Sequence, residues 1–517
     1  MKRHIDSIRL FVTSTTILQK IFILVPILSV LLYVYVSEYF YDAEYYQYQH
    51  IRWNEEYAIV PGLGNLEDRF GFNSNYLLLS AIFTFRFLFG PTEAIYSLQS
   101  LLYICILCWI TVSLIKNGYS IFYGILLAIS FLIIFTMGYS LASSSTDILP
   151  LLFIFYYLSK SIINTKWSKN QPLLALLLPI TIVTFKLSTA TFCLICLIPF
   201  IFLLKEKKYR ELSFIISASF LIISLWCVRN IITSGYLVYP LYSLDFFNFD
   251  WKVPKGTAIL QEAHIYNYAK RVYSVDFLKV QLFFKGIINQ ATTTGLLNII
   301  FYIIFLIAPA IIIYKYKKKR LDIDRVFLYI IISFCIIFNF LTAPDMRFNY
   351  GYILGLLTLL AFIFFNGKRF SKLTITTSIL VLCSFVCTAT YQFIDEGGKI
   401  GVKFENYMDF VALYHHRNRK NTNSFHEYHM GNQTIHITKE RHDNRTFDLL
   451  PAVDPNGIPF ESFSGLKIQD IRTIELRGES LQDGFKTKPE YIEIINNNID
   501  KYVSMYYEML AKRENWN

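Results

Sequence analysis

Pro172–Asn230 reads PLLALLLPITIVTFKLSTATFCLICLIPFIFLLKEKKYRELSFIISASFLIISLWCVRN. A single cation, Lys186, separates two apolar runs at 172–186 and 189–204. The basic knot KEKKYR at 205–210 then precedes a third run at 211–232, which holds Arg229 near its end. A helix needs about 20 apolar residues to cross a bilayer, and shorter ones fit inside a bundle. The stretch therefore predicts three membrane spans joined by one tight turn and one basic loop.

The same punctuation continues outward in both directions. Apolar runs at 17–36, 95–115, 119–138, 147–160, 293–314, 326–341, 349–366 and 373–393 bring the expected spans to eleven. The composition agrees. Of 517 residues, 54% are hydrophobic and 17% charged, with 46 Phe and 37 Tyr. A soluble domain carries about 25% charged residues, so a soluble fold is excluded. The apolar content excludes a disordered chain, and 22 Gly exclude a collagen. The first span is too long for a signal-peptide core, and no small-residue cleavage site follows it. The segment 76–90 is apolar but short and carries Arg86. It reads as an interfacial or re-entrant helix.

The net charge of +11 suggests an acidic partner until it is divided. Residues 1–393 hold 33 Lys and Arg against 19 Asp and Glu, and residues 394–517 hold 16 against 19. The surplus thus lies on the apolar part, in short runs such as 160–169, 205–210, 315–325 and 368–372. Basic loops between spans mark the cytoplasmic side. The runs lack the interleaved aromatics or motif of a nucleic-acid surface, so no nucleic acid is expected. This places the N-terminus in the cytoplasm and the protein in the cytoplasmic membrane. Loops 37–94 and 233–292 and the tail 394–517 then lie outside. The eight cysteines sit within apolar runs without ligating neighbours. The pairs Cys105/Cys108 and Cys193/Cys196 therefore read as small apolar residues. The tail alternates apolar and polar residues, with a turn signal at Asp454–Gly457. It reads as a small α+β extracytoplasmic domain, 394–517, after a transmembrane domain, 1–393. The fold class is an all-α polytopic membrane protein with that small domain appended.

Three features carry candidate chemistry. Loop 37–94 has Asp42 and Glu44 just past the first span, with His50 and Arg52 among acids and aromatics. A carboxylate fixed at a membrane face suits a general base. Ser143-Ser144-Ser145-Thr146-Asp147 opens the helix after the next outer loop. Asp147 there serves equally well as a helix N-terminal acid. Lone charges stand at outer helix ends: Lys186, Arg229, Asp345 and Arg347. An ionisable group within or beside a span is costly and marks a functional position, and cations gathered on one face suit a phosphate-bearing lipid headgroup.

At these residues the chain resembles the GT-C superfamily of integral membrane glycosyltransferases. The likeness is one of layout. Asp42 follows the first span, a long loop comes next, Asp147 stands in the second outer loop, and an outer domain closes the chain. FGPTEAIYSLQSLLYICILCWITVSLIKNGYS (89–120) is similar to the segment after the first loop in O-mannosyltransferase relatives. VPGLGNLEDRFGFNSNY (60–76), SSSTD (143–147), FKLS (185–188), VRNIITSGYLVYP (228–240), TAPDMRF (342–348) and ELRGESLQDGF (475–485) resemble a group of large bacterial multi-pass membrane proteins. The chain has D-A-E at 42–44 where the mannosyltransferases have an adjacent Asp-Glu pair, and it has no WWD motif.

The resemblance implies a GT-C-like fold and an enzyme that takes a sugar from a polyprenyl-phosphate donor in the outer leaflet. It passes that sugar to a glycan, lipid or protein acceptor. Asp42 would be the general base. Lys186 and Arg347, with Arg52 and Arg229 behind them, would stabilise the leaving phosphate. Glu44 and Asp147 would orient the acceptor or hold a divalent cation, Mg or Mn, and no other cofactor is implied. Two other readings remain open: a lipid-linked glycan polymerase or ligase, and a flippase-type transporter of surface polysaccharide. A transporter would place charges at mid-span and repeat its halves, and neither pattern is present.

Overall fold

The computed structural model describes residues 15–36, 42–89, 94, 96–270, 295–343, 345–371, 378, 425–438, 449–453 and 471–500. Most of them are helical. The main helices are α1 (Ile17–Val36), α2 (Tyr48–Glu56), α3 (Asn75–Ile82), α4 (Arg86–Phe89), α5 (Leu98–Lys116), α6 (Ile121–Ala142), α7 (Ile148–Ile163), α8 (Pro172–Phe185), α9 (Leu197–Lys205), α10 (Tyr209–Ser234), α11 (Lys255–Lys270), α12 (Gly295–Lys317), α13 (Ile323–Thr342), α14 (Tyr350–Phe365) and α15 (Pro489–Asn497). A 3-10 stretch, Leu187–Cys196, leads into α9.

Among the described residues, seven segments are long and apolar enough to cross a membrane: α1, α5, α6, Leu187–Lys205, α10, α12 and α13. This is compatible with a multi-pass membrane protein. The apolar runs at 147–160, 172–186 and 349–366 are helical too, as α7, α8 and α14, but fall short of that length. The expected span at 373–393 lies outside the described residues apart from Ser378. Segment 76–90 is two short helices. The chain breaks between them at Phe85, whose φ is 56°. Arg86 then pairs with Glu55 at 3.0 Å.

The chain divides into two compact units, 1–39/96–143/357–419 and 40–95/144–356/420–517. In the first, α1, α5 and α6 pack together. Buried polar side chains there bond to backbone carbonyls, because an unsatisfied polar group in an apolar setting costs several kcal/mol. Ser100 Oγ and Gln99 Nε2 donate to the Leu141 carbonyl at 2.6 and 3.0 Å, and Tyr103 donates to that of Ser130 at 2.8 Å. Pro26 lies inside α1, and Ser29 Oγ donates to its carbonyl at 2.8 Å.

The second unit is built around α7. Twelve of its 16 residues are buried, and a helix apolar and buried all round is encased in protein. Gly355 lets α14 approach it: a Cβ there would strike the Leu158 side chain. Tyr157 meets Phe192 edge-on at 5.4 Å, and Phe192 meets Tyr352 at 5.9 Å. By contrast α10 leaves Phe214, Phe220 and Leu225 largely exposed, a surface suited to lipid.

The described tail strands belong to this second unit. β1 (Phe425–Met430) and β2 (Gln433–Thr438) form an antiparallel hairpin, and β3 (Ala452–Val453) adds parallel to β2. β4 (Ile474–Leu476) pairs antiparallel with β5 (Phe485–Thr487). These strands do not enclose a core of their own. Met430, Ile435, Val453, Ile474 and Phe485 share one buried cluster with Trp53, Val60, Leu63, Leu66 and Phe70. The described tail strands and residues 53–70 therefore share one buried cluster. Short strands bury too little apolar surface to stand alone, so they complete their core with residues 53–70. Gly62 makes the junction close. Its φ is 64°, a Cβ there would collide with the Phe485 carbonyl, and its amide donates to Ile232 at 2.8 Å. Asn65 accepts from Thr487 at 2.9 Å and donates to the Trp251 carbonyl at 2.8 Å.

Candidate functional site

Asp147 sits at the start of α7, where a carboxylate ordinarily accepts from the first backbone N–H groups. It makes no such cap. Ser145 Oγ instead accepts from the Asp147 amide at 3.4 Å. The carboxylate is turned to two cations: it pairs with Lys186, and its Oδ2 lies 3.7 Å from Arg347 Nε.

Each cation is presented by a break in a helix. Lys186 ends α8 in extended conformation, φ −154° and ψ 117°. Its ammonium stands 4.0 Å from the centre of the Phe348 ring. Arg347 lies on a 3-10 turn, Met346–Phe348, capped by Asp345, whose Oδ1 accepts from the Arg347 amide at 3.0 Å. Asp345 Oδ2 also pairs with Arg347 Nε at 3.0 Å. The Arg347 guanidinium is 5.1 Å from the same Phe348 ring. One aromatic ring thus serves two cations, a cation–π arrangement.

Asp42 stands within electrostatic reach of this group. It immediately precedes the π-helical turn Ala43–Gln47 that enters α2. The negative charges of Asp42 and Asp345 act on Lys186, and the negative charge of Asp42 and the positive charges of Arg69 and Arg347 act on Tyr46. Arg69 lies over the Tyr46 ring at 5.3 Å. Four sequence candidates, Asp147, Lys186, Asp345 and Arg347, therefore meet within the second unit from three separate segments, with Asp42 in electrostatic reach of Lys186. Asp147 is 9% exposed and Lys186 21%, so the pair is largely withdrawn from water and depends on its geometry.

The other candidates lie elsewhere or act differently. Arg229, near the end of α10, donates to Asn54 Oδ1 on α2. Its charge acts on His50. His50 is buried and meets Phe70 edge-on at 5.7 Å. Burial, then the Arg229 charge, push the imidazole from 6.5 down to about 3. His50 is thus neutral near pH 7. Arg52 pairs with Glu56 at 2.6 Å, one turn along its own helix, which is a local contact. Glu44 belongs to the π-helical turn, and its side chain lies outside the described residues. Among the described residues no three of His, Cys, Asp or Glu converge as metal ligands. Both Asp147 oxygens face cations, which repel a metal, so Asp147 does not fit the divalent-cation role.

Tyr46, Phe348 and Asn54 were not candidates on sequence. Tyr46 stands four residues after Asp42, the spacing that shares a helix face. Phe348 adjoins Arg347. Nothing in the sequence singles out Asn54, whose partner is 175 positions away.

Neither a curated protein nor a solved structure matches the chain. Residues 1–354 match the family model described as Domain of unknown function (DUF8201), a segment that holds every member of the cluster, and the chain belongs to that family.

Proposed function

We propose that the protein is a GT-C-type membrane glycosyltransferase. It takes a sugar from a polyprenyl-phosphate donor at the extracytoplasmic face and passes it to a glycan, lipid or protein acceptor. The convergence of Asp42 with Lys186, Arg347, Asp147 and Asp345 carries this reading. It supplies a carboxylate and two cations in one place, and the transfer asks for both. Asp42 accepts the proton of the acceptor hydroxyl while its oxygen bonds to the anomeric carbon. The bond from that carbon to the donor phosphate oxygen breaks, and the electron pair leaves with the phosphate. Lys186 and Arg347 stabilise the charge that develops there, and such preorganised cations act most strongly where water is excluded. Asp147 and Asp345 hold the two cations in place before the donor arrives. The orientation rests on the basic loops, which assign loops 37–94 and 233–292 and the tail to the outside.

The test is Asp42→Asn at matched protein level, scored by surface glycan and by sugar transfer from a polyprenyl-phosphate sugar in proteoliposomes. A general base is worth about 10²–10⁴-fold, and a loss of that size with an unchanged melting temperature is expected. Full transfer by the variant removes Asp42 from the reaction. A cysteine at position 450 that reacts only with reagents on the cytoplasmic side reverses the orientation.

A further inference from the structure

The described residues of the first unit, 15–36, 96–143, 357–371 and 378, include the cations Lys20, Lys116, Lys368 and Arg369 and not one Asp or Glu. Three of these cations are gathered at one turn. α5 ends at Lys116, and the turn at 117–120 leads into α6. Gly118 and Tyr119 both take positive φ there, 62° and 58°. The segment 368–370, just past α14, runs antiparallel to that turn, with Arg369 opposite Ser120. The Ile121 amide donates to the Lys368 carbonyl at 3.0 Å, and the Phe370 amide donates to the Tyr119 carbonyl at 2.9 Å. Arg369 is laid across Gly118, where a Cβ would stand 3.5 Å from both Cζ and Nε of the guanidinium. Phe370 is seated on α6, since a Cβ at Gly124 would strike its ring. Lys116, Gly118, Lys368 and Arg369 are all exposed. Phe364, one turn before Lys368, is an exposed aromatic on α14.

A basic loop by itself reports orientation, and helix C-termini attract cations. The ends of α5 and α14 carry about half a negative charge each, less than the two positive charges of Lys368 and Arg369 alone. The balance calls for an anion from outside the unit. At the end of a membrane helix the anion at hand is a phospholipid headgroup. A guanidinium offers phosphate two parallel N–H donors, and a lysine adds a point charge. The apolar surface beside them, which includes Phe364, suits the acyl chains of the same lipid. A zwitterionic headgroup would bring its own ammonium against these cations, so the charge favours a net anionic lipid.

We propose that Arg369 and Lys368, with Lys116 beside them, bind the phosphate of an anionic phospholipid at the turn between α5 and α6. The site lies in the first unit alone and is independent of the transfer chemistry.

The experiment uses the full chain, delipidated in a neutral detergent, with dioleoylphosphatidylglycerol, dioleoylphosphatidylcholine or inorganic phosphate added. Bound lipid is counted by native mass spectrometry, and the melting temperature is followed. Phosphatidylglycerol should bind saturably and raise the melting temperature, phosphatidylcholine should bind more weakly, and inorganic phosphate at the same concentration should change nothing. Arg369→Gln and Lys368→Gln should each weaken phosphatidylglycerol binding about fivefold, the effect of one cation at an anionic surface. Lys205→Gln, in the basic loop of the second unit, should leave it unchanged. Lys368→Gln alters an exposed side chain and keeps the backbone bond to Ile121, so it tests the site even if Arg369→Gln fails to fold. Equal binding of the two lipids overturns the proposal, and so does an unchanged affinity in Lys368→Gln or an equal loss in Lys205→Gln. Stabilisation by inorganic phosphate as strong as that by phosphatidylglycerol identifies a site for free phosphate and overturns the lipid.

Discussion

Two groups of charged residues in the second unit are assembled in opposite ways. On α2, Arg52 and Glu56 meet because one helical turn separates them. The Asp147 cluster draws Asp147, Lys186, Asp345 and Arg347 from three segments, with Asp42 in electrostatic reach. The first group forms wherever α2 forms, and Glu56 remains 40% exposed. The second exists only after the whole unit is packed, and Asp147 is nearly buried. Charges paired within one helix therefore report local structure. Charges brought together from a distance, and shielded from water, report a site.

Mutations should separate the two groups in order of size. Asp147→Ala leaves Lys186 and Arg347 facing each other without their shared acid. Removing one partner of a buried pair costs about 3–5 kcal/mol, which chemical unfolding in detergent should register. A change no larger than that of a surface pair would place Asp147 outside a working network. His50 gives an intermediate effect and depends on pH. Its imidazole titrates near 6.5 when unfolded and near 3 when folded. Below pH 6.5 the unfolded chain binds the extra proton first, so stability falls as the solution is acidified. The slope is about 1.4 kcal/mol per pH unit until the folded value is reached. Unfolding curves taken between pH 7 and pH 4 should show that slope, and His50→Phe should flatten it. Arg52→Ala, which removes a pair made within one helix, should cost less than Asp147→Ala. A loss as large in the same assay would make the helical-turn pair as consequential as the long-range cluster.

Much of this was legible from residue order. The apolar runs at 172–186, 189–204 and 211–232 became α8, the run Leu187–Lys205, and α10. Length and apolarity fix a helix that must satisfy its own backbone in lipid. Lys186, Asp147 and Arg347 stood out because lone charges beside apolar runs are costly. The partners of those charges were not legible. Asp147 looked equally fit to cap its own helix, and the choice between a local amide and two remote cations is made by packing. The tail was misleading for a related reason. Its alternating residues announced strands, but not that Phe485 and Ile474 would bury against Trp53 and Leu66. Strand patterns show which face is apolar and do not name what covers it.

The sequence by itself determined the apolar helices, the uneven division of charge, and the short list of residues too costly to be placed idly. Those properties follow from composition and spacing along one dimension. Only the tertiary structure decided that Lys186, Arg347 and Asp345 gather around Asp147, that His50 is sealed away neutral, and that residues 53–70 and the described tail strands share one core. Each of these depends on contacts between residues far apart in the chain, and burial, which sets the strength of a charge, exists only once those contacts have formed.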